Sequence, residues 1–112
     1  MIIRFRAIDK DIFHAIHNGE KTVETRAYTP KYQNLAPGQR VTFVCENESI
    51  TKLVASVRIF KDAEDLAASI RPGTIHPRAA TADDLQKMYD SFPGYEDKIR
   101  DCGLVAWELT DE

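Results

Sequence analysis

Long apolar runs are missing from this chain: none exceeds the four residues Leu104 to Trp107, against the roughly 20 needed to cross a bilayer. Membrane insertion is therefore not expected. The start of the chain carries no signal-peptide hydrophobic region, so secretion is not expected either. Cysteine is scarce. Cys45 and Cys102 have no second cysteine or histidine at metal-ligand spacing, which excludes a zinc finger. Both are expected as reduced thiols in a cytoplasmic protein, with Cys45 buried in a strand because it alternates with Val41 and Phe43. Histidine is limited to three positions. His14 and His17 share a helix face with Lys10, opposite Ile8, Ile12 and Ile16, and lack a third ligand, so neither a metal nor another cofactor is expected. His76 lies beside Arg78 in an irregular stretch that reads as a surface connection or the lid of a cleft.

Positive charge is also short. Fifteen Lys and Arg against 18 Asp and Glu give a net charge of −3, which argues against a protein that grips duplex nucleic acid through phosphates. The average hides an asymmetry: residues 1–60 carry nine bases and six acids, residues 61–112 six bases and twelve acids. An anion site, if present, belongs to the first half.

What the chain does contain suffices for a core. With 112 residues, 43% hydrophobic and 29% charged, it is expected to fold as one domain over 1–112. Ile3 and Phe5 alternate with Arg4 and Arg6 as in a half-buried strand. A helix follows, with Asp9 as its expected N-cap, Ile8, Ile12 and Ile16 on its apolar face, and a stop at Asn18-Gly19. The β-branched Thr22, Val23 and Thr25 favour extended backbone over Lys21–Arg26. After an irregular loop, Arg40–Glu46 and Ile50–Phe60 read as a hairpin around Asn47-Glu48-Ser49. Asp62 caps a helix through Ile70. Thr81 and Asp84 match a capping box that opens another, halted at Pro93-Gly94. Gly103–Leu109 reads as a closing strand. The order β-α-β-β-β-α-α-β implies an α+β fold whose mixed, mostly antiparallel sheet curls into a small barrel with flanking helices.

One segment concentrates polar chemistry. Gly19-Glu20-Lys21-Thr22-Val23-Glu24-Thr25-Arg26 places two cations and two carboxylates at a helix-to-strand junction. In a regular strand Glu24 and Arg26 share a face with Thr22, and Lys21 joins them only if it lies in the turn and reaches around. The bland alternative is a surface ion pair.

Gly19-x-Lys21-x-x-Glu24-x-Arg26 resembles the signature of ASCH domains, the activating-signal-cointegrator homology family, whose fold is a PUA-like β-barrel. The resemblance extends to the helix ending in Asn18-Gly19, to Leu35-x-Pro37-Gly38-x-Arg40-Val41, to the long strand through Val57, and to Gly103–Leu109. It implies a cleft that binds RNA or a nucleoside. Lys21 and Arg26 then supply donors to a phosphate or base carbonyl, and Glu24 accepts from an exocyclic amine or ribose hydroxyl. Tyr28 and Tyr32, just past the motif, stack a base or pack the loop.

Some small ASCH proteins look like amidohydrolases of N4-acetylated cytidine that use a Lys, a Thr and a Glu. Lys21 matches the lysine, but Glu24 stands where the catalytic threonine is expected, with Thr22 and Thr25 beside it. The acid falls on Asp84, which equally completes the capping box. A ribonuclease activity associated with the family finds no histidine pair here. The expected function is thus binding of RNA or a modified nucleoside, with amidohydrolase and protein-binding adaptor as alternatives.

Overall fold

The computed structural model describes residues 1–112. One sheet contains β1 (Ile2–Phe5), β2 (Val23–Ala27), β3 (Arg40–Cys45), β4 (Glu48–Phe60) and β5 (Leu104–Thr110). The helices are α1 (Lys10–Asn18), α2 (Ala63–Ser69), α3 (Pro72–Ile75), α4 (Ala82–Asp90) and α5 (Tyr95–Cys102). This is the expected α+β architecture, a mixed, mostly antiparallel sheet curled into a half-barrel with flanking helices. No helix is long and apolar enough to cross a membrane.

The strand order is β1-β3-β4-β5-β2, with β1 and β3 parallel and the other pairs antiparallel. At 13 residues β4 is long enough to pair with β3 along its first half and with β5 along its second. Its register shifts between Val54 and Ser56, a bulge of the kind that increases twist and bends a strand. The two outermost strands, β1 and β2, do not pair with each other. The sheet therefore curls without closing and leaves a seam between two free edges.

Each face of the sheet is covered. Phe13 and Ile16 of α1, with Tyr32 and Leu35 of the crossing loop, pack one face against Ile3, Phe43, Val105 and Trp107. Leu66, Ile75, Leu85, Tyr89 and Ile99 of the later helices pack the other against Val23, Ala27, Phe60 and Ala106. β5 lies between the two cores, which is why its run Leu104–Trp107 is buried without interruption.

Several local expectations are corrected. Ile8 is 81% exposed, because residues Ala7–Asp9 form a 3-10 turn that precedes α1. Asp9 makes no capping bond; its carboxylate accepts from Arg6 Nε at 2.8 Å. α4 already ends at Asp90, with Ser91 as its C-cap, and Pro93-Gly94 instead begins a further helix, since Gly94 at φ 75° is the N-cap of α5. Only Ile99 of α5 is buried, with Tyr95 packed beside the same core. Two glycines are required by the backbone. Gly19, at φ 86°, ends α1 and turns the chain toward β2. Gly103, at φ 77°, lies so close to β4 that a Cβ there would stand 2.6 Å from the Phe60 carbonyl oxygen.

Candidate functional site

β2 is an edge strand, and its unpaired peptide groups set the local chemistry. Thr22 O accepts from Leu109 N, and Tyr28 N donates to Gly103 O, so the even-numbered residues face β5. The peptide groups of Val23 and Thr25 then face the seam. Motif side chains take two of these four polar atoms: Lys21 Nζ donates to Val23 O at 2.7 Å, and Thr25 N donates to Glu24 Oε1 at 2.9 Å. Lys21 lies in the turn, as convergence of the motif requires, with its amide donating to Ala15 O. Its Nζ also donates to Ile75 O at 2.6 Å and stands 3.6 Å from Glu24 Oε1. One ammonium thereby ties α3 to β2. Lys21 is 3% exposed and Glu24 4%, so the surface ion-pair alternative does not describe this motif.

A cavity of about 260 Å³ occupies the seam. Arg4, Phe5 and Arg6 line it from β1 and its end, and Lys21, Glu24, Thr25 and Arg26 from β2 and its approach. Tyr89 of α4 and the Phe92-Pro93 turn, with Tyr95 of α5, give it an aromatic wall. The Tyr89 and Tyr95 rings are stacked at 6.3 Å, Phe92 meets Tyr95 edge-on at 5.3 Å, and the Arg26 guanidinium lies over Phe5 at 5.4 Å. Two buried polar atoms of this site have no hydrogen-bond partner in the protein: Glu24 Oε2, an acceptor, and Arg26 Nε, a donor. Arg26 Nη2 comes only to 3.7 Å from Glu24 Oε2. Unsatisfied buried groups are costly and uncommon, and both residues of this pair line the cavity.

Protonation follows burial. Removal from water holds the Lys21 pKa below the ordinary lysine value; Glu24 opposes the shift and Arg26 adds to it. Burial acts to lower the Arg26 pKa, but Glu24 and the Tyr95 and Tyr32 hydroxyls outweigh it, and the guanidinium stays charged. Burial pushes the Tyr89 phenol above the usual tyrosine range, so its hydroxyl is neutral; it shares a 2.5 Å hydrogen bond with Thr25 Oγ1. His76 is buried, and its pKa is lowered first by that burial, then by Arg78 and Lys21. Its Nδ1 accepts from Arg78 N, so it is a folded-in residue rather than a surface connection.

The structure brings together Lys21, Glu24, Thr25 and Arg26 and leaves out four other expected site residues. Thr22 precedes the strand and faces a separate recess with Ser56, Arg58 and Glu108, because strand alternation begins only at Val23. Asp84 lies outside the seam. Its Oδ2 accepts from the Ala80 and Thr81 amides, completing the capping box, and the Ala80 bond leads in holding its pKa low. An ionised cap is not a proton donor. It borders a more open recess that shares Asp9, Ile12, Met88 and Phe92 with the cavity. Tyr32 is buried against Trp107, with ring centroids 5.5 Å apart, and Tyr28 packs on the same core; neither lines the cavity. Its aromatics are instead Phe5, Tyr89, Phe92 and Tyr95. The signal for the last two was an aromatic on each side of Pro93-Gly94.

No protein-family model matches the chain, and no curated protein does. Among solved structures, the crystal structure of hypothetical protein PH0355 superposes with a TM-score of 0.79 at 20% identity, covering 97% of each chain. The solution structure of protein PF0455 from Pyrococcus furiosus gives 0.73 at 19% identity, over 97% of this chain and 96% of that one. At such identity the likeness is one of fold.

Proposed function

We propose that this chain is a cytoplasmic ASCH-type protein that binds RNA or a modified nucleoside by holding one base in the seam. The observation that carries the reading is the orphaned pair Glu24 Oε2 and Arg26 Nε in an aromatic-walled cavity. An acceptor beside a donor complements the edge of a nucleobase, and the aromatic wall provides its stacking surface. At about 260 Å³ the cavity lies near the small end of ligand sites, roughly 300–1,000 Å³, which suits one base rather than a strand.

Binding is supported over hydrolysis by the bonds of Lys21. Its Nζ donates to two backbone carbonyls and is not hydrogen-bonded to the Thr25 hydroxyl, which pairs with Tyr89; a nucleophile needs its base within reach. The adaptor alternative rests on an exposed motif, and burial of Lys21 and Glu24 removes that support. The test is titration with cytidine, uridine, adenosine, guanosine, N4-acetylcytidine and short single-stranded RNAs, followed by calorimetry and mass spectrometry. At least one nucleoside binds, and Glu24→Ala weakens it by about tenfold or more, as loss of a charge-assisted hydrogen bond does. Binding that survives Glu24→Ala refutes the site. Deacetylation of N4-acetylcytidine that is lost in Lys21→Ala replaces this reading with the hydrolytic one.

A further inference from the structure

We infer that the seam is built for a 6-aminopurine base, read on one edge by the side chains of β2 and on the other by the peptide group of Arg4. The inference rests on the base-binding reading above and goes beyond it in naming the base. β1 pairs only with β3. Thr42 N donates to Met1 O, in the register Ile2↔Thr42 through Phe5↔Cys45. A parallel strand bonds its neighbour through every second residue, so Ile3 and Phe5 direct their N–H and C=O to β3. The N–H and C=O of Arg4 point the opposite way, toward the seam whose cavity Arg4 lines. Neither has a partner in the protein. The facing edge of β2 differs, because Lys21 and Glu24 already occupy Val23 O and Thr25 N, the two atoms a pairing strand would need in alternation. A second strand therefore cannot zip into the seam, whereas a small planar group meets free polar atoms on both sides.

Four of these atoms lie outside the β2 backbone: a donor and an acceptor from Arg4, the acceptor Glu24 Oε2 and the donor Arg26 Nε. The contour N7, N6, N1 of adenine answers all four. N7 accepts from Arg4 N–H, the two N6 hydrogens go to Arg4 C=O and Glu24 Oε2, and N1 accepts from Arg26. Cytosine matches three, since a C–H faces the Arg4 N–H. Hypoxanthine and uracil place a carbonyl oxygen against two acceptors, an arrangement that is rejected strongly.

The experiment compares adenosine, 7-deazaadenosine, cytidine, inosine and uridine by calorimetry, with the Arg4 amide followed by NMR. Adenosine binds most tightly and shifts the Arg4 amide. Removing the N7 acceptor weakens binding about three- to tenfold, the range for one neutral hydrogen bond, and inosine binds more weakly still. Arg4→Pro deletes the N–H on an edge that β1 does not use for pairing, so the thermal midpoint is kept while adenosine binding falls to the level of 7-deazaadenosine. Equal affinity for adenosine and 7-deazaadenosine, or tighter binding of inosine, uridine or cytidine, overturns the inference and leaves the base-binding reading standing. If none of the five binds and no other base does, both fall. If Arg4→Pro unfolds the protein, the deaza comparison on the wild type decides alone.

Discussion

Lys21 is a buried ammonium whose hydrogen bonds are made to backbone carbonyls from two elements, Val23 O and Ile75 O. Replacing it with methionine keeps the volume and strips both carbonyls and Glu24 of their cation. The expected cost is about 3–5 kcal/mol, as for other broken buried pairs, measured by urea denaturation at pH 7. The pH dependence has a defined sign. Because the folded pKa lies below the unfolded one, the native state binds fewer protons than the unfolded state between the two values, and stability rises with pH there. The gap between wild type and Lys21→Met therefore widens as pH climbs toward the ordinary lysine value of about 10.4. A gap that narrows contradicts the burial account. The spacing of Lys21, Glu24 and Arg26 was legible as a cluster in the sequence. Its use as a cover for the free edge of β2 was not, because edge status depends on a pairing with β5 some 80 residues away.

α4 carries Tyr89 into the cavity, and its start is secured by the reciprocal bonds of Thr81 and Asp84. Loss of the Thr81 hydroxyl in Thr81→Ala is expected to cost about 1 kcal/mol, the usual value of an N-cap, with a corresponding drop in the urea midpoint. The Asp84 contribution has the same pH sense as that of Lys21 but acts in the acid range. Its lowered folded pKa makes its stabilisation complete above the unfolded value and lost as pH falls through and below 3.8. An acid titration of wild type against Asp84→Asn checks it, the two curves converging at low pH. This capping box was readable from four residues because its partners are local. α5 was not, since only Ile99 among its eight residues is buried, and α3 spans a single turn that opens with Pro72-Gly73.

The whole molecule is a sheet that curls but stops short of closure, and the cavity is the unclosed interval. Charge around it is mostly paired: Arg6 with Asp9, Arg78 with Asp11, Lys87 with Asp83. Only Arg4 at the cavity lacks a carboxylate partner, in a chain of net charge −3. Any single-stranded RNA held here makes one to three phosphate contacts, so log affinity against log salt has a slope between about −0.7 and −2. A steep slope, as from six or more contacts, defeats the reading of a base held in a recess with one unpaired cation; binding across a salt series decides.

The strands, α1, α2 and α4 and the polar motif followed from the chain alone, because alternation, capping and turn chemistry act over a few residues. Strand order, the failure of β1 and β2 to meet, and the recruitment of Phe5, Tyr89, Phe92 and Tyr95 in place of Tyr28 and Tyr32 required the folded molecule. Those features depend on contacts between distant segments: β2 leaves its outer edge open only because β5 takes the inner one. The aromatics reach the seam only because helices from the second half of the chain close over it. Local patterns specify which face of an element is apolar, and long-range pairing decides what that face meets.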